Sequence, residues 1–163
     1  MINISTNITY AEATKSQEAI RKGIPNAPTE ANLLAMRSLA ETIFEPLRKF
    51  YGKPIGISSF FRSVKVNKAI GGSTTSQHCA EKGASAMDID ADIFNNGIKN
   101  SEIFKYIKDN YSYDQLIWEF GNDKEPDWVH VSSYIDKSKN RKQILKAVRK
   151  TVLGKSTTVY IPF

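Results

Sequence analysis

Between Ala84 and Ile93 the chain alternates, with Ala86, Asp88, Asp90 and Asp92 on one side and Met87, Ile89 and Ala91 on the other. A period of two is the pattern of a strand with one face in the core. The opposite face would then carry three carboxylates in a row, which repel one another unless a cation or water separates them. The loop just before this strand, Ser73–Lys82, brings Ser76, His78 and Cys79 close to it in sequence. The chain has two histidines in 163 residues, and the second, His130, lies in another strand-like run, Trp128–Ser132. Two histidines and a strand of carboxylates raise the question of a metal. An isolated histidine is more often a packed or solvated side chain, so spacing alone leaves both readings open.

The flanking segments supply what such a strand could pack on. A short amphipathic piece around Ala11–Arg21 is followed by a turn at Pro25 and Pro28, and Thr29 then reads as an N-cap with Glu30 in the first turn. Leu33, Met36, Ala40, Ile43, Phe44 and Leu47 follow helical spacing as far as Tyr51-Gly52, with Pro46 expected to kink or restart the helix. Lys53–Ser59 reads as a strand, Val64–Ile70 as a short helix stopped by Gly71-Gly72, and Glu102–Tyr111 as a further helix. Gln115–Phe120 and Trp128–Tyr134 read as two strands joined by the polar turn Gly121–Asp127. In the tail, Ile144, Leu145 and Val148 suit a helix and Thr157–Ile161 a strand. This order predicts an α+β fold, helices packed on a largely antiparallel sheet.

Composition narrows the chemistry. Cys79 is the single cysteine, which excludes an internal disulfide framework and a cysteine-rich zinc cluster, so a metal would be held by histidine and carboxylate. Beside His78 in sequence, Cys79 reads as a packing thiol and not as a nucleophile. The net charge of +6 favours polyanions, with much of the excess late in the chain at Lys137, Lys139, Arg141, Lys142, Lys146, Arg149, Lys150 and Lys155. No aromatics interleave with those residues as a stacking platform would require, which argues against nucleic acid. The N-terminus lacks a basic segment followed by an apolar one, and no run is long and apolar enough to insert in a membrane. Synthesis in the cytoplasm without a signal peptide is therefore expected.

Catalytic zinc sites combine three protein ligands with an open position, and they need a nearby base and a donor for the developing oxyanion. His78, one of the following aspartates and His130 can ligate, Glu119 or Asp127 can act as base, and Arg62 can meet an oxyanion or a substrate carboxylate. Three blocks of sequence carry a resemblance. They are Ser59-Phe60-Phe61-Arg62-Ser63 with Asn67 and Gly71-Gly72, then Ser76-Gln77-His78 with Gly83 and Ala86-Met87-Asp88-Ile89, then Asp114–Phe120 with Trp128–Ser132. In order and content they resemble the M15 family of zinc D-alanyl-D-alanine carboxypeptidases, in particular its phage and bacterial branch of cell-wall peptidases. The resemblance covers roughly residues 55–134 and implies the fold shared with the hedgehog signalling domain.

Carried onto this sequence, the resemblance implies zinc ligands His78, Asp88 and His130, with Arg62 binding substrate or stabilising the tetrahedral intermediate and Ser76 hydrogen-bonding the peptide. The family spacing would put the aspartate at position 85, which is Ser85 here. The A-x-D-I context moves the ligand to Asp88, with Asp90 as the alternative and Asp92 behind it. For the base, family members differ between the positions of Glu119 and Asp127, and this chain has both. Strand residues three apart face opposite ways, so Asp127 serves only if the chain turns before Trp128.

The expectation is one peptidase domain over 1–163, with a helical part at about 1–52, a zinc-site core at about 53–135 and a basic segment at about 136–163. It would be a monomer cleaving peptidoglycan stem peptides or cross-bridges, as a phage or prophage lytic or virion-associated protein reaching the wall through a holin or on a virion. The alternative is a non-catalytic module with the same fold that binds zinc or the cell wall.

Overall fold

Local capping chemistry divides the N-terminal third, as seen in a computed structural model that describes residues 3–163. A small hairpin, β1 (Asn3–Ser5) and β2 (Ile8–Thr9), leads into α1 (Tyr10–Ala13) and α2 (Gln17–Lys22). These two short helices replace the single amphipathic piece expected around Ala11–Arg21. The Thr9 side chain caps α1 and the Ser16 side chain caps α2, each by accepting a backbone N–H, so the chain restarts between them.

Thr29 caps α3 (Glu30–Leu39) as expected, accepting from the Asn32 N–H while the Asn32 side chain accepts from the Thr29 N–H. The next turn, Ala40–Phe44, widens to π-helical geometry, and α4 (Glu45–Tyr51) restarts with Pro46 in its first turn. Proline has no N–H to give the preceding turn, and the wider turn absorbs that loss. The whole stripe from Leu33 to Leu47 is buried. Each of its larger side chains, Leu33, Met36, Ile43, Phe44 and Leu47, contributes about 1.5–3 kcal/mol by leaving water.

The remaining elements are β3 (Gly56–Ser59), α5 (Val64–Ala69), β4 (Ala84–Asp90), α6 (Asn100–Asn110), β5 (Gln115–Glu119), β6 (Trp128–Tyr134), β7 (Gln143–Val152) and β8 (Lys155–Pro162). Six of these are strands, in the order β3-β4-β6-β5-β7-β8, antiparallel except where β7 runs parallel to β5. The α+β architecture is thus the expected one, with a mixed, mostly antiparallel sheet. Met87, Ile89, Leu116, Trp118, Val129 and Val131 join the helices in one hydrophobic core. Their alternate neighbours, Asp88, Ile117, Glu119 and His130, line a cavity instead.

The tail departs from its helical reading. Ile144, Leu145 and Val148 lie in β7, which pairs with β8 around the two-residue turn Leu153-Gly154, both at positive φ. Apolar residues cluster at the start of β7 because both faces are covered there: Ile144 packs on the core and Leu145 faces the cavity. Phe163 completes the hairpin's attachment, its ring 5.2 Å from Trp118 and 5.0 Å from Phe104.

The turn between β5 and β6 depends on Gly121. Its φ is +63°, and a Cβ there would lie 2.1 Å from the Glu125 carbonyl oxygen and 2.8 Å from the Pro126 Cα. Gly121→Ala is expected to destabilise the protein by about 2–3 kcal/mol through strain and clash together. Urea unfolding checks this, and a loss below about 0.5 kcal/mol would show that the turn can relax.

Candidate active site

Strand register brings the first two predicted ligands together. Asp88 of β4 pairs directly with His130 of β6, so both side chains emerge on one face. His78 arrives from the 3₁₀ turn Gln77–Cys79, followed by Ala80, Lys82 and Gly83 at positive φ. Those left-handed residues take up the extra length between His78 and Asp88. Three contacts tie this loop down. The Arg62 N–H donates to the His78 carbonyl at 3.0 Å, Asn32 Nδ2 donates to the Ala80 carbonyl at 2.9 Å, and His78 Nδ1–H donates to the Phe60 carbonyl at 2.7 Å.

The last of these fixes the His78 tautomer and leaves the Nε2 lone pair facing inward. His78 Nε2 lies 3.2 Å from His130 Nδ1 and 3.3 Å from Asp88 Oδ1, and His130 Nδ1 lies 3.0 Å from Asp88 Oδ1. Tetrahedral zinc with ligand bonds near 2.0–2.1 Å needs donor separations of roughly 3.4 Å. Two imidazole nitrogens and a carboxylate oxygen converging in this way suit a divalent cation in both geometry and donor type. Burial lowers the pKa of His78, against the attraction of Asp88, so its neutral form is favoured. Burial works to raise Asp88, but His78 and His130 together hold it well below the usual carboxylate range. A neutral histidine and an ionised aspartate are the protonation states a metal requires.

The other carboxylates of the alternating stretch serve elsewhere. Asp90 Oδ1 accepts from the Asp92 N–H at 3.0 Å, capping a turn at Ala91–Ile93, and Asp92 is exposed. The alternation therefore ends at Asp90, and Asp88 alone of the three joins the histidines.

A cavity of about 460 Å³ opens over this cluster, and Arg62, Ser76 and Glu119 all line it. Glu119 pairs with Trp128 across the hairpin and is 6% exposed. Burial raises its pKa to about 7, a balance that His130 and Arg62 oppose and the charge of Asp88 reinforces. Arg62 Nε is buried without a hydrogen-bond partner, and no carboxylate among the described residues forms a salt bridge with this guanidinium. Asp127 is exposed and does not line the cavity. Its backbone contributes instead, the N–H donating to the Glu119 carbonyl at 2.9 Å and the carbonyl accepting from Asn100 Nδ2 at 3.0 Å. Cys79 is buried, and burial pushes its thiol pKa up, which suits a packing role.

Sequence reasoning missed two parts of this site. One is a clamp behind His78: Asp114, fully buried, accepts from Arg141 Nε and Nη2 at 2.8 and 2.7 Å, from the Arg141 N–H at 3.0 Å and from Gln77 Nε2 at 2.9 Å. The other is a far wall from the C-terminal hairpin, made by Gln143, Leu145 and Tyr160. Neither has a local signal, because each depends on β7 adding in parallel to β5.

The family model described as Peptidase M15 matches residues 6–132. Arg62, Ser76, His78, Asp88, Glu119, Asp127 and His130 all fall inside that match, and the hairpin wall falls outside it. A comparison with curated proteins finds no match.

Proposed function

The chain belongs to the peptidase M15 family, and from that premise we propose that it is a zinc metallopeptidase cleaving peptide bonds in peptidoglycan stem peptides or cross-bridges. The observation that carries this reading is the convergence of His78, Asp88 and His130, their donor atoms 3.0–3.3 Å apart, at the floor of the cavity that Glu119 and Arg62 share. Bound there, zinc supplies Lewis acidity, which makes water nucleophilic near neutral pH and polarises a carbonyl.

This chain's own residues do the rest. Glu119, buried on the cavity wall with its pKa raised by that burial, takes the proton from the attacking water and returns it to the leaving amine. Asp127, on the outer surface of the turn, is the weaker choice for that role. Arg62 stabilises the developing oxyanion or holds a substrate carboxylate, and Ser76 hydrogen-bonds the peptide backbone. At about 460 Å³, with Arg62, Ser76 and Glu119 on its walls, the cavity has room for a short stretch of peptide. The net charge of +6 draws a monomer to an anionic wall, which fits a phage or prophage lytic or virion-associated setting. A module that only bound zinc or the wall would have no use for a buried carboxyl and a guanidinium facing the same cavity as the ligands, so the hydrolytic reading is preferred.

Purified protein incubated with peptidoglycan sacculi is expected to release soluble peptides with new amino termini, to stop when a chelator removes the metal, and to recover when zinc is restored. Zinc binding without any new termini would favour the binding module, and the absence of both would overturn the reading.

A further inference from the structure

The family match ends at residue 132, but the cavity does not: β8 contributes Tyr160 to it. Register explains how. Glu119 of β5 pairs with Ala147 of β7, and Ala147 pairs with Tyr160 of β8. Directly paired residues share a face, so Glu119, Ala147 and Tyr160 form one row across the sheet. The residue between the two functional side chains is an alanine, buried and no larger than a methyl group, over which a tyrosine two strands away (about 10 Å) can lean towards the carboxylate.

Other features of the hairpin point the same way. It is fastened at two places, by Phe163 against Trp118 and Phe104 and by the Arg149 guanidinium 4.6 Å from the Phe120 ring centre. Tyr160 takes no part in that fastening and is 54% exposed, so the hydrophobic core does not account for it. Its hydroxyl makes no hydrogen bond among the described residues. The covered part of the ring raises the phenol's pKa by partial burial, and the charges of Glu119 and Asp88 raise it further against a pull from Arg62, so it remains a proton donor through neutral pH.

We propose that Tyr160 is a catalytic residue of this site, its hydroxyl donating a hydrogen bond to the oxygen of the scissile carbonyl from the β8 edge of the sheet. Arg62, which follows β3 at the opposite edge, approaches from the other side. The phenol keeps its proton throughout, so no bond to it forms or breaks. The inference rests on the peptidase reading and extends it to the hairpin, giving the site a donor that residues 6–132 do not contain.

The test compares wild type, Tyr160→Phe and Tyr160→Ala on purified muropeptides, with zinc content measured alongside. Tyr160→Phe keeps the ring and removes only the hydroxyl. It is expected to bind zinc as wild type does, to keep KM within about twofold, and to lose about 100-fold in kcat, as removal of a single oxyanion donor does. Wild-type kinetics in Tyr160→Phe would overturn the proposal and leave the peptidase reading intact. So would a higher KM at unchanged kcat in either variant, because the ring would then be only a wall for the substrate. Wild type that cleaves no muropeptide when loaded with zinc would remove the peptidase reading, and this inference with it.

Discussion

Replacing His130 with alanine is expected to reduce zinc affinity by about 10²–10³-fold and to bring hydrolysis to background. Three donors are proposed for the site, and structural zinc sites of four ligands are worth about 10–16 kcal/mol, so one ligand represents roughly 2.5–4 kcal/mol on that scale. His130 also sits in the centre of the sheet, opposite Asp88 and beside Ile117, yet its ring faces the cavity and not the core. The metal-free variant should therefore fold. Zinc titration against a chromophoric chelator measures the affinity, and melting with and without zinc supplies an independent reading, since a ligand that binds only the native state raises Tm. Wild type should gain several degrees from zinc and His130→Ala almost none. Affinity should also fall on acidification, because His78 must stay neutral and Asp88 ionised. An unchanged zinc affinity in the variant would remove His130 from the ligand set.

The part of this site that could be read from sequence is the part that follows a period of two. Once β4 is a strand with Met87 and Ile89 inward, Asp88 faces the other way. The same logic applied to Val129 and Val131 turns His130 out beside it. The hairpin between β5 and β6 was legible for the same reason, since Gly121–Asp127 joins two apolar runs in adjacent register. Where the alternation ends was not legible. Asp92 continues the pattern in sequence, but Asp90 turns its carboxylate onto the Asp92 N–H and closes the strand in a turn. Side-chain capping of this kind competes with strand extension, and residue spacing carries no record of which one wins.

Non-local pairing accounts for the rest. Spacing leaves Glu119 and Asp127 both open, because a turn before Trp128 permits Asp127 to face the site but does not fix where its side chain points. The chain does turn there, the Asp127 N–H donating to the Glu119 carbonyl, and the Asp127 side chain lies exposed outside the cavity lining. The Asp114 clamp joins Gln77 and Arg141 across the fold, and Tyr160 enters the cavity through two successive strand pairings. Ile144, Leu145 and Val148 fit helical spacing because β7 is covered on both faces where it begins, which removes the alternation that marks a half-buried strand.

Glu119→Gln should separate proton transfer from metal binding. The substitution keeps the shape and leaves His78, Asp88 and His130 untouched, so zinc affinity should stay within about threefold while kcat falls by about 10²–10⁴-fold, the range for loss of a general base. The pH profile supplies a second signature. Wild-type kcat/KM should rise with pH as Glu119 ionises, near pH 7 in the electrostatics of the metal-free site and lower once a cation is bound, and the variant should lack that limb. Stability should move the opposite way. Burial raises the folded pKa of Glu119 above its ordinary value of 4.5, to about 7, so its contribution is fully present below 4.5 and lost as pH rises through 7. A neutral glutamine escapes that loss. At pH 8 the metal-free variant should therefore be more stable than wild type, by up to about 3 kcal/mol, and equal at pH 4. A gain in stability with a loss of rate is the mark of a residue held at an energetic cost for its chemistry. Unchanged kcat together with unchanged stability would assign the base to another residue, and Asp127 would be the next to replace.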